Sequence, residues 1–302
     1  MNISIQYLSR KSIEVRKWDQ CIHAASNSLV YGYSWYLDAM TDHWDGLILN
    51  DYEVVMPLPW RKKYGIRYVY PPAFCQQLGV FGQQVHHTKY LDQFLNSARQ
   101  HFPFMEMNLN FENNYPGTIP GTNFTLALDT RYENIFAEYK PTLQQDIAKA
   151  GKSGLQYFKT SNYRLILESY RHTYGHRFSH VTSEDFQKLT DLCSILDKKN
   201  KLIIREAGFE NNKMAGALLF DLDNRLYLMA SVTSPEGREY KATHFLINEV
   251  IREFTGLRKT FDFEGSGLPG VSRFYKSFGP INQPYFFFKH NGLPRPLRWF
   301  KK

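Results

Sequence analysis

The sequence predicts an α/β (α+β) fold made of two copies of one unit, each a mixed, mainly antiparallel sheet flanked by helices. Three observations predict it. Strand-like and helix-like segments alternate along the chain. The order of elements in the first half recurs in the second at a nearly constant offset, with helices near 88 and 241 and strands near 104 and 259. The chain has 302 residues, 43% hydrophobic and 16% aromatic, more than one ordinary core needs and enough for two. The expected units are 1–135 and 136–302.

The elements follow in order. Leu47-Ile48-Leu49 and Val54-Val55-Met56, joined at Asn50-Asp51, read as a hairpin whose second strand ends at Pro57 and Pro59. Residues 64–81 mix aromatic and β-branched residues with Gly and Pro, which predicts short strands and a loop. Leu91, Phe94, Leu95 and Ala98 have helical spacing over 88–100, and 104–111 alternates like a strand after Pro103. Residues 132–150 read as a helix broken at Pro141, and Gly151 and Gly154 end it. Helices follow at 163–174 and 183–196, the latter capped by Ser183-Glu184-Asp185. Strands are expected at 202–204, 215–220, 225–232 and 259–264. A helix is expected at 242–254, with Leu246, Ile247, Val250, Ile251 and Phe254 on one side.

Composition excludes several classes of protein. No apolar run approaches the length of a membrane span. Residues 1–18 carry four basic residues and no apolar core of a secretory signal. Cys21, Cys75 and Cys193 lie too far apart for a zinc set or a disulfide framework, so a soluble, reduced, cytoplasmic protein is expected. The net charge is +8, and the whole surplus falls after residue 150. Beyond Glu264 there is no acid, while Arg273, Lys276, Lys289, Arg295, Arg298, Lys301 and Lys302 follow. That asymmetry fits an anionic partner, such as a phosphate-bearing ligand, RNA or a lipid surface, and equally a solvated basic face.

Familiar motifs fail. Gly151-Lys152-Ser153 resembles the end of a phosphate loop, but Asp146 stands where the pattern needs Gly. His172, His176 and His180 repeat every four residues, but Gly175 and Ser179 interrupt the helix and no carboxylate completes a metal set, so no metal is expected. Asn123-Phe124-Thr125 has the form of a glycosylation signal, and a strand is the simpler reading.

The informative segment is 225–288. A strand runs into Thr233-Ser234-Pro235-Glu236-Gly237-Arg238, and the helix at 242 follows. Free N–H groups at the start of a helix, with Arg238 and Lys241 beside them and Ser234 and Gly237 in the turn, would bind a phosphate-bearing ligand. Further on stands Thr260-Phe261-Asp262-Phe263-Glu264-Gly265-Ser266-Gly267. A period of two puts Asp262 and Glu264 on one face and the phenylalanines on the other, so two carboxylates end a strand, placed for acid–base work or for capping a turn. Arg273-Phe274-Tyr275-Lys276-Ser277-Phe278-Gly279 and Tyr285-Phe286-Phe287-Phe288 complete the segment.

This ordered set resembles the C-terminal signature of the Fem-type (FemAB-like) branch of the GNAT acyltransferase superfamily. There too a strand, a helix, an Asp-Phe-x-Gly strand end and a Phe-Gly stop occur in this order. The likeness extends upstream to Thr125-Leu126-Ala127-Leu128-Asp129 with the helix to Gly154-Leu155, and to Met56-Pro57-Leu58-Pro59 with 64–71, so it covers about residues 20–290. It implies tandem GNAT-like domains and transfer of an acyl group from an activated donor to an amine. In simple GNAT proteins the donor is acyl-CoA; in the cell-wall Fem branch it is an aminoacyl-tRNA and the acceptor a cell-wall precursor. The pyrophosphate loop of simple GNAT proteins places small residues where this chain has Lys241 and Thr243. The first-half counterpart, at Gln76-Gln77-Leu78-Gly79-Val80-Phe81, departs at its last place. Where many Fem-like proteins carry a lysine after the first Phe of their Phe-Gly run, this chain has Tyr275, then Lys276. The tRNA-dependent enzymes often insert a helical hairpin that has no heptad counterpart here.

The resulting expectation is an N-acyltransferase using acyl-CoA. Glu264 would be the base and Tyr275 the acid for the leaving group, with Asp262 and Lys276 the next candidates. Arg238 and Lys241, with Ser234 and Gly237, would hold the donor phosphates. The acceptor would be a small-molecule or a nucleotide- or lipid-linked amine. The alternatives are an aminoacyl-tRNA-dependent enzyme of cell-wall precursors, and a catalytically silent module holding a nucleotide- or lipid-linked sugar.

Overall fold

The computed structural model of the protein describes residues 4–83, 87–175, 181–265 and 268–294. His176, His180, Ser266, Gly267, Arg295, Arg298, Lys301 and Lys302, all singled out from the sequence, lie outside them. The chain forms two compact units: Met1–Gly121 with Pro284–Lys302, and Thr122–Gln283.

The first unit contains β1 (Ile5–Ser9), α1 (Val15–Ala24), α2 (Ser34–Met40), β2 (Trp44–Leu49), β3 (Val54–Lys63), β4 (Ile66–Val69), β5 (Phe81–Gly82), α3 (His87–His101), β6 (Phe104–Leu109) and β7 (Ile119–Gly121). The second contains β8 (Phe124–Ala127), α4 (Tyr132–Ala137), α5 (Pro141–Lys152), β9 (Gln156–Thr160), α6 (Tyr163–Tyr174), α7 (Ser183–Lys198), β10 (Leu202–Phe209), β11 (Asn212–Leu222), β12 (Arg225–Thr233), α8 (Pro235–Glu239), α9 (Ala242–Phe254), β13 (Thr260–Asp262), α10 (Pro269–Tyr275) and β14 (Ile281–Asn282). A last strand, β15 (Tyr285–Asn291), returns to the first unit.

The two sheets have matching orders, β1-β2-β3-β4-β6-β15-β7 and β9-β10-β11-β12-β13-β8-β14. In each, four antiparallel strands lead to one parallel pair bridged by a helix, β4 with β6 across α3 and β12 with β13 across α9. The sixth strand of each sheet belongs by sequence to the other unit's neighbourhood. β8 follows directly on β7 but pairs with β13 and β14, and β15 follows on β14 but pairs with β6 and β7. The unit boundaries therefore fall at 121/122 and 283/284 and not at 135/136, because a strand's partner is set by pairing and not by its place in the chain.

The helical spacing read from the sequence corresponds to burial: Leu91, Phe94, Leu95 and Ala98 of α3 and Leu246, Ile247, Val250 and Ile251 of α9 are wholly buried. The first core gathers Trp18, Ile22, Tyr31, Tyr36, Phe81, Phe94 and Phe102. The second is centred on Leu219, Leu226, Phe261, Phe263 and Phe278.

Several local expectations are corrected. β3 does not stop at Pro57 and Pro59 but runs through both to Lys63. Trp60 donates its N–H to His43 on the β2 side, while the Pro59 carbonyl accepts from Tyr70 on the other side. Alternate residues face alternate sides, so both prolines turn their missing donors away from β2. On that far side β5 pairs only at Val54 and Val55, and β4 only from Trp60 onward. The loop between β2 and β3 spans Asn50 to Glu53, with Leu49 facing Val54. Helix α7 is capped one residue earlier than expected, by a reciprocal pair in which Thr182 accepts from the Asp185 N–H and Asp185 from the Thr182 N–H. Asn123 is fully buried and donates to Asp262, so its sequon is a structural element of the sheet.

Candidate active site

Most of the segment singled out from the sequence, residues 225–283, lies in the second unit, where it forms the strand–helix–strand β12-α9-β13 and the α10 helix beyond, while 285–288 belong to β15 of the first unit. The parallel pair places Tyr227 of β12 beside Asp262 of β13. The period-two expectation holds only to Asp262. At Glu264 the backbone takes a left-handed φ of 48°, so the strand ends and the two carboxylates part.

Asp262 points inward. It is 1% exposed, and both its oxygens are engaged. Oδ1 accepts from Asn123 Nδ2 at 3.0 Å and from the Glu264 N–H at 3.1 Å, and Oδ2 accepts from Arg225 Nη1 at 2.6 Å. The Arg225 guanidinium also donates twice to Gln283 Oε1 at 3.1 Å. A buried carboxylate held by three donors, one of them its counter-charge, holds strands together, and we assign Asp262 this structural role in preference to that of the base.

Glu264 is half-buried and shares its surroundings with three tyrosines. Tyr170 and Tyr174 stand one turn apart on α6 with ring centroids 5.3 Å apart. Tyr275, at the end of α10, is 9% exposed and packs its ring 4.9 Å from Phe263. Burial pushes the Tyr170 hydroxyl up to about 12, with Tyr174 and the Glu264 charge adding to it. Burial raises the Tyr275 hydroxyl as well, again helped by Tyr170, Tyr174 and Glu264. Both phenols thus stay protonated at neutral pH, as a proton donor requires. Lys276, one residue on, is exposed and lies 5.6 Å from the Phe124 ring.

The phosphate turn is built differently from the expectation. A short helix, α8, occupies it, and its own N–H groups are used: Gly237 donates to Ser234 Oγ at 2.9 Å, Arg238 to the Ser234 carbonyl, and Lys241 to the Arg238 carbonyl. Ser234 is therefore the cap of α8. Gly237 is required by packing, since a Cβ there would sit 2.6 Å from the Met214 carbonyl oxygen. The donors left for a ligand are those at the start of α9, which has no side-chain cap and whose first flanking residue, Lys241, has a φ of 58°. Lys241 is itself paired with Asp146 of α5 at 3.4 Å, and His244 lies 3.7 Å from the same carboxylate. Burial lowers the His244 pKa most, Lys241 adds to that, and Asp146 opposes it, so the ring is neutral at physiological pH. Arg238 is exposed.

Sequence reasoning missed Tyr170, Tyr174, Arg225, Asp146 and His244. The i, i+4 spacing of the two tyrosines was a visible signal of a shared helix face. The partners of Asp262 and Lys241 come from 37 and 95 residues away, distances over which spacing says nothing. Among the described residues no group of His, Cys, Asp and Glu is arranged to hold a metal ion. Among those residues, too, no helix is long and apolar enough to cross a membrane.

No protein-family model and no curated protein matches the chain. Solved structures do. FemX is similar over 100% of both chains with a TM-score of 0.67 at 12% identity. A conserved protein of unknown function from Bacteroides thetaiotaomicron matches 95% of this chain and 99% of its own, with a TM-score of 0.61 at 9% identity. A tandem GNAT protein from the clavulanic acid biosynthesis pathway matches 97% and 99%, with a TM-score of 0.56 at 11% identity. At such low identities the likeness is one of fold. It agrees with the repeated sheet order, and the chain has the tandem GNAT-like fold shared with FemX and with the tandem GNAT protein.

Proposed function

We propose that the protein is an N-acyltransferase that moves an acyl group from acyl-CoA to an amine. The observation that carries this reading is the placing of Glu264. It is a half-buried carboxylate at the end of the parallel strand β13, held in a left-handed conformation, within electrostatic reach of two protonated tyrosines. Backbone strain at a non-glycine residue persists where the surroundings over-determine it, and such places concentrate at functional sites.

The chemistry asked of the chain is modest, because the donor is already activated. The amine nitrogen attacks the acyl carbon and forms the new N–C bond, and Glu264 takes the proton the nitrogen sheds. The bond from carbon to sulfur then breaks, and Tyr275 donates its proton to the departing thiolate. Arg238 and Lys241 supply charge for the donor phosphates at the start of α9, and Lys276 adds a third cation near the strand end. The acceptor in this reading is a small-molecule amine, or one carried on a nucleotide or lipid, handled in the cytoplasm.

The test is release of free CoA thiol from acetyl-CoA in the presence of a panel of amines, with charged tRNA offered in parallel as the donor. Thiol release that depends on an amine and is abolished in Glu264→Gln supports the reading. Transfer from charged tRNA alone moves the protein to the aminoacyl-tRNA-dependent class. No transfer from either, with a thermal shift on adding nucleotide-linked sugars, makes it a binding module.

A further inference from the structure

We propose that the hairpin joining β3 and β4 in the first unit docks the protein on an anionic lipid surface. Tyr64 at its tip is 91% exposed, the most exposed of the large apolar or aromatic side chains among the described residues. Lys63 faces Ile66 in the ladder, so the turn has two residues, Tyr64 and Gly65, with φ values of 51° and 80°. Both central residues of such a tight hairpin turn need positive φ, which favours Asn, Asp or Gly. A bulky aromatic ring at the first position is strained and gains nothing from the fold, since it touches water almost everywhere. Local rules broken without a structural return mark places where the residue serves something outside the fold.

The charge around the ring has one sign. Arg61, Lys62, Lys63 and Arg67 stand within seven residues, and no acid occurs between Glu53 and Asp92. Arg61 is paired with Asp42 and Arg67 with Asp45. Lys62 and Lys63 are exposed and have no acidic partner among the described residues. Successive residues of a strand point to opposite faces, so these two cations straddle the tip.

That shape selects the partner. A nucleic acid strand is held by a groove lined along one face, with successive rings for successive bases. Here there is a convex tip with a single exposed ring, with Lys63 Nζ 5.4 Å from its centroid, and the nearby Tyr68 is packed edge-on against Phe104. A plane of anionic headgroups across the tip meets both lysines at once, and a tyrosine ring settles at the boundary between headgroups and chains. The attachment would be weak and reversible, suited to a protein that visits a surface. It rests on the first unit alone and stands or falls apart from the acyltransferase reading.

Flotation of the whole protein with vesicles tests it. Wild type should float with vesicles of phosphatidylcholine mixed with phosphatidylglycerol, stay behind with phosphatidylcholine alone, and be released by salt. Lys62→Gln with Lys63→Gln should weaken binding by about tenfold to thirtyfold, since each lysine near an anionic surface contributes about 1 kcal/mol. Lys62→Arg with Lys63→Arg should keep it. Tyr64→Asn should weaken it several-fold while melting at the same or a higher temperature, because Asn accepts the left-handed turn. Failure of wild type to distinguish the two vesicle types, or equal binding by all variants, overturns the proposal. Binding to single-stranded RNA that falls in the same variants, with no vesicle binding, replaces it with a nucleic-acid surface.

Discussion

Asp262 and Arg225 form a buried ion pair, 2.6 Å from Oδ2 to Nη1, on adjacent parallel strands of the second sheet. With Asn123 and Gln283 the pair ties together β12, β13 and the segments flanking β8 and β14. Asp262→Asn leaves the guanidinium buried without its counter-charge and should cost about 3–5 kcal/mol, measured by chemical denaturation. Joint replacement, Asp262→Leu with Arg225→Met, should recover much of that loss. Activity in either variant should follow the folded fraction and nothing more.

Glu264 should behave in the opposite way. Glu264→Gln keeps the shape and the fold, and turnover should fall about 10²–10⁴-fold, the usual contribution of a general base. Glu264→Gly should be inactive yet more stable by about 1 kcal/mol, because glycine accepts the left-handed conformation without strain. A melting temperature and a rate from each preparation check both statements. An active Glu264→Gln variant would leave Tyr275 and Lys276 as the groups to test.

The donor site turns on Asp146. Its carboxylate sits against Lys241 and His244 at the start of α9, where an incoming phosphate would have to compete with it. Asp146→Asn should therefore strengthen binding of CoA, and Arg238→Ala with Lys241→Ala should weaken it by about 1–3 kcal/mol, the range for hydrogen bonds to charged groups. Isothermal titration reads both. The same Asp146→Asn change removes the one influence that raises the His244 pKa, so the ring should titrate at still lower pH in an NMR experiment.

Acid should loosen the second unit at a defined place. Glu253 of α9 accepts from Arg205 Nε and Nη2, each at 2.7 Å, and from Tyr157 at 2.6 Å, and Lys159 pairs with it at 2.7 Å. Burial alone would raise its pKa, but these partners outweigh burial and bring it to about 2 from the ordinary 4.5. A lowered carboxylate stabilises the fold fully above about pH 4.5 and loses that contribution as pH falls toward about 2. Glu253→Gln should lower the melting temperature at neutral pH and flatten its decline between those two values.

The legible part of the fold was what repeats locally. The apolar positions of α3 and α9, the alternation of the strands and the punctuation at Pro141 identified the elements with a strong local period, while β1, α1, α2, β7, β9, α8, α10 and β14 went unread. Long-range pairing was illegible. Tyr285-Phe286-Phe287-Phe288 stood out only as an aromatic run, and the ladder alone says that it is a strand that joins β6. Pro57 and Pro59 read as a stop because sequence does not reveal which side of a strand lacks a neighbour. Asp262 and Glu264 read as a pair because period two continues on paper where a positive φ breaks it in the molecule.

The exchange of β8 and β15 has a consequence for how the protein is made on the ribosome. β7 has one partner strand, β15, which is among the last segments to be synthesised. The whole of Thr122–Gln283 must be translated before the first sheet can receive its sixth strand. Through that interval the outer edge of β6 is exposed, a template open to any nascent strand nearby. The second sheet has no such wait, because β8 is already outside when β13 emerges. The half that begins first is thus finished last, and a chain ended just after Gln283 would have a first unit with an open edge and a second unit that is whole.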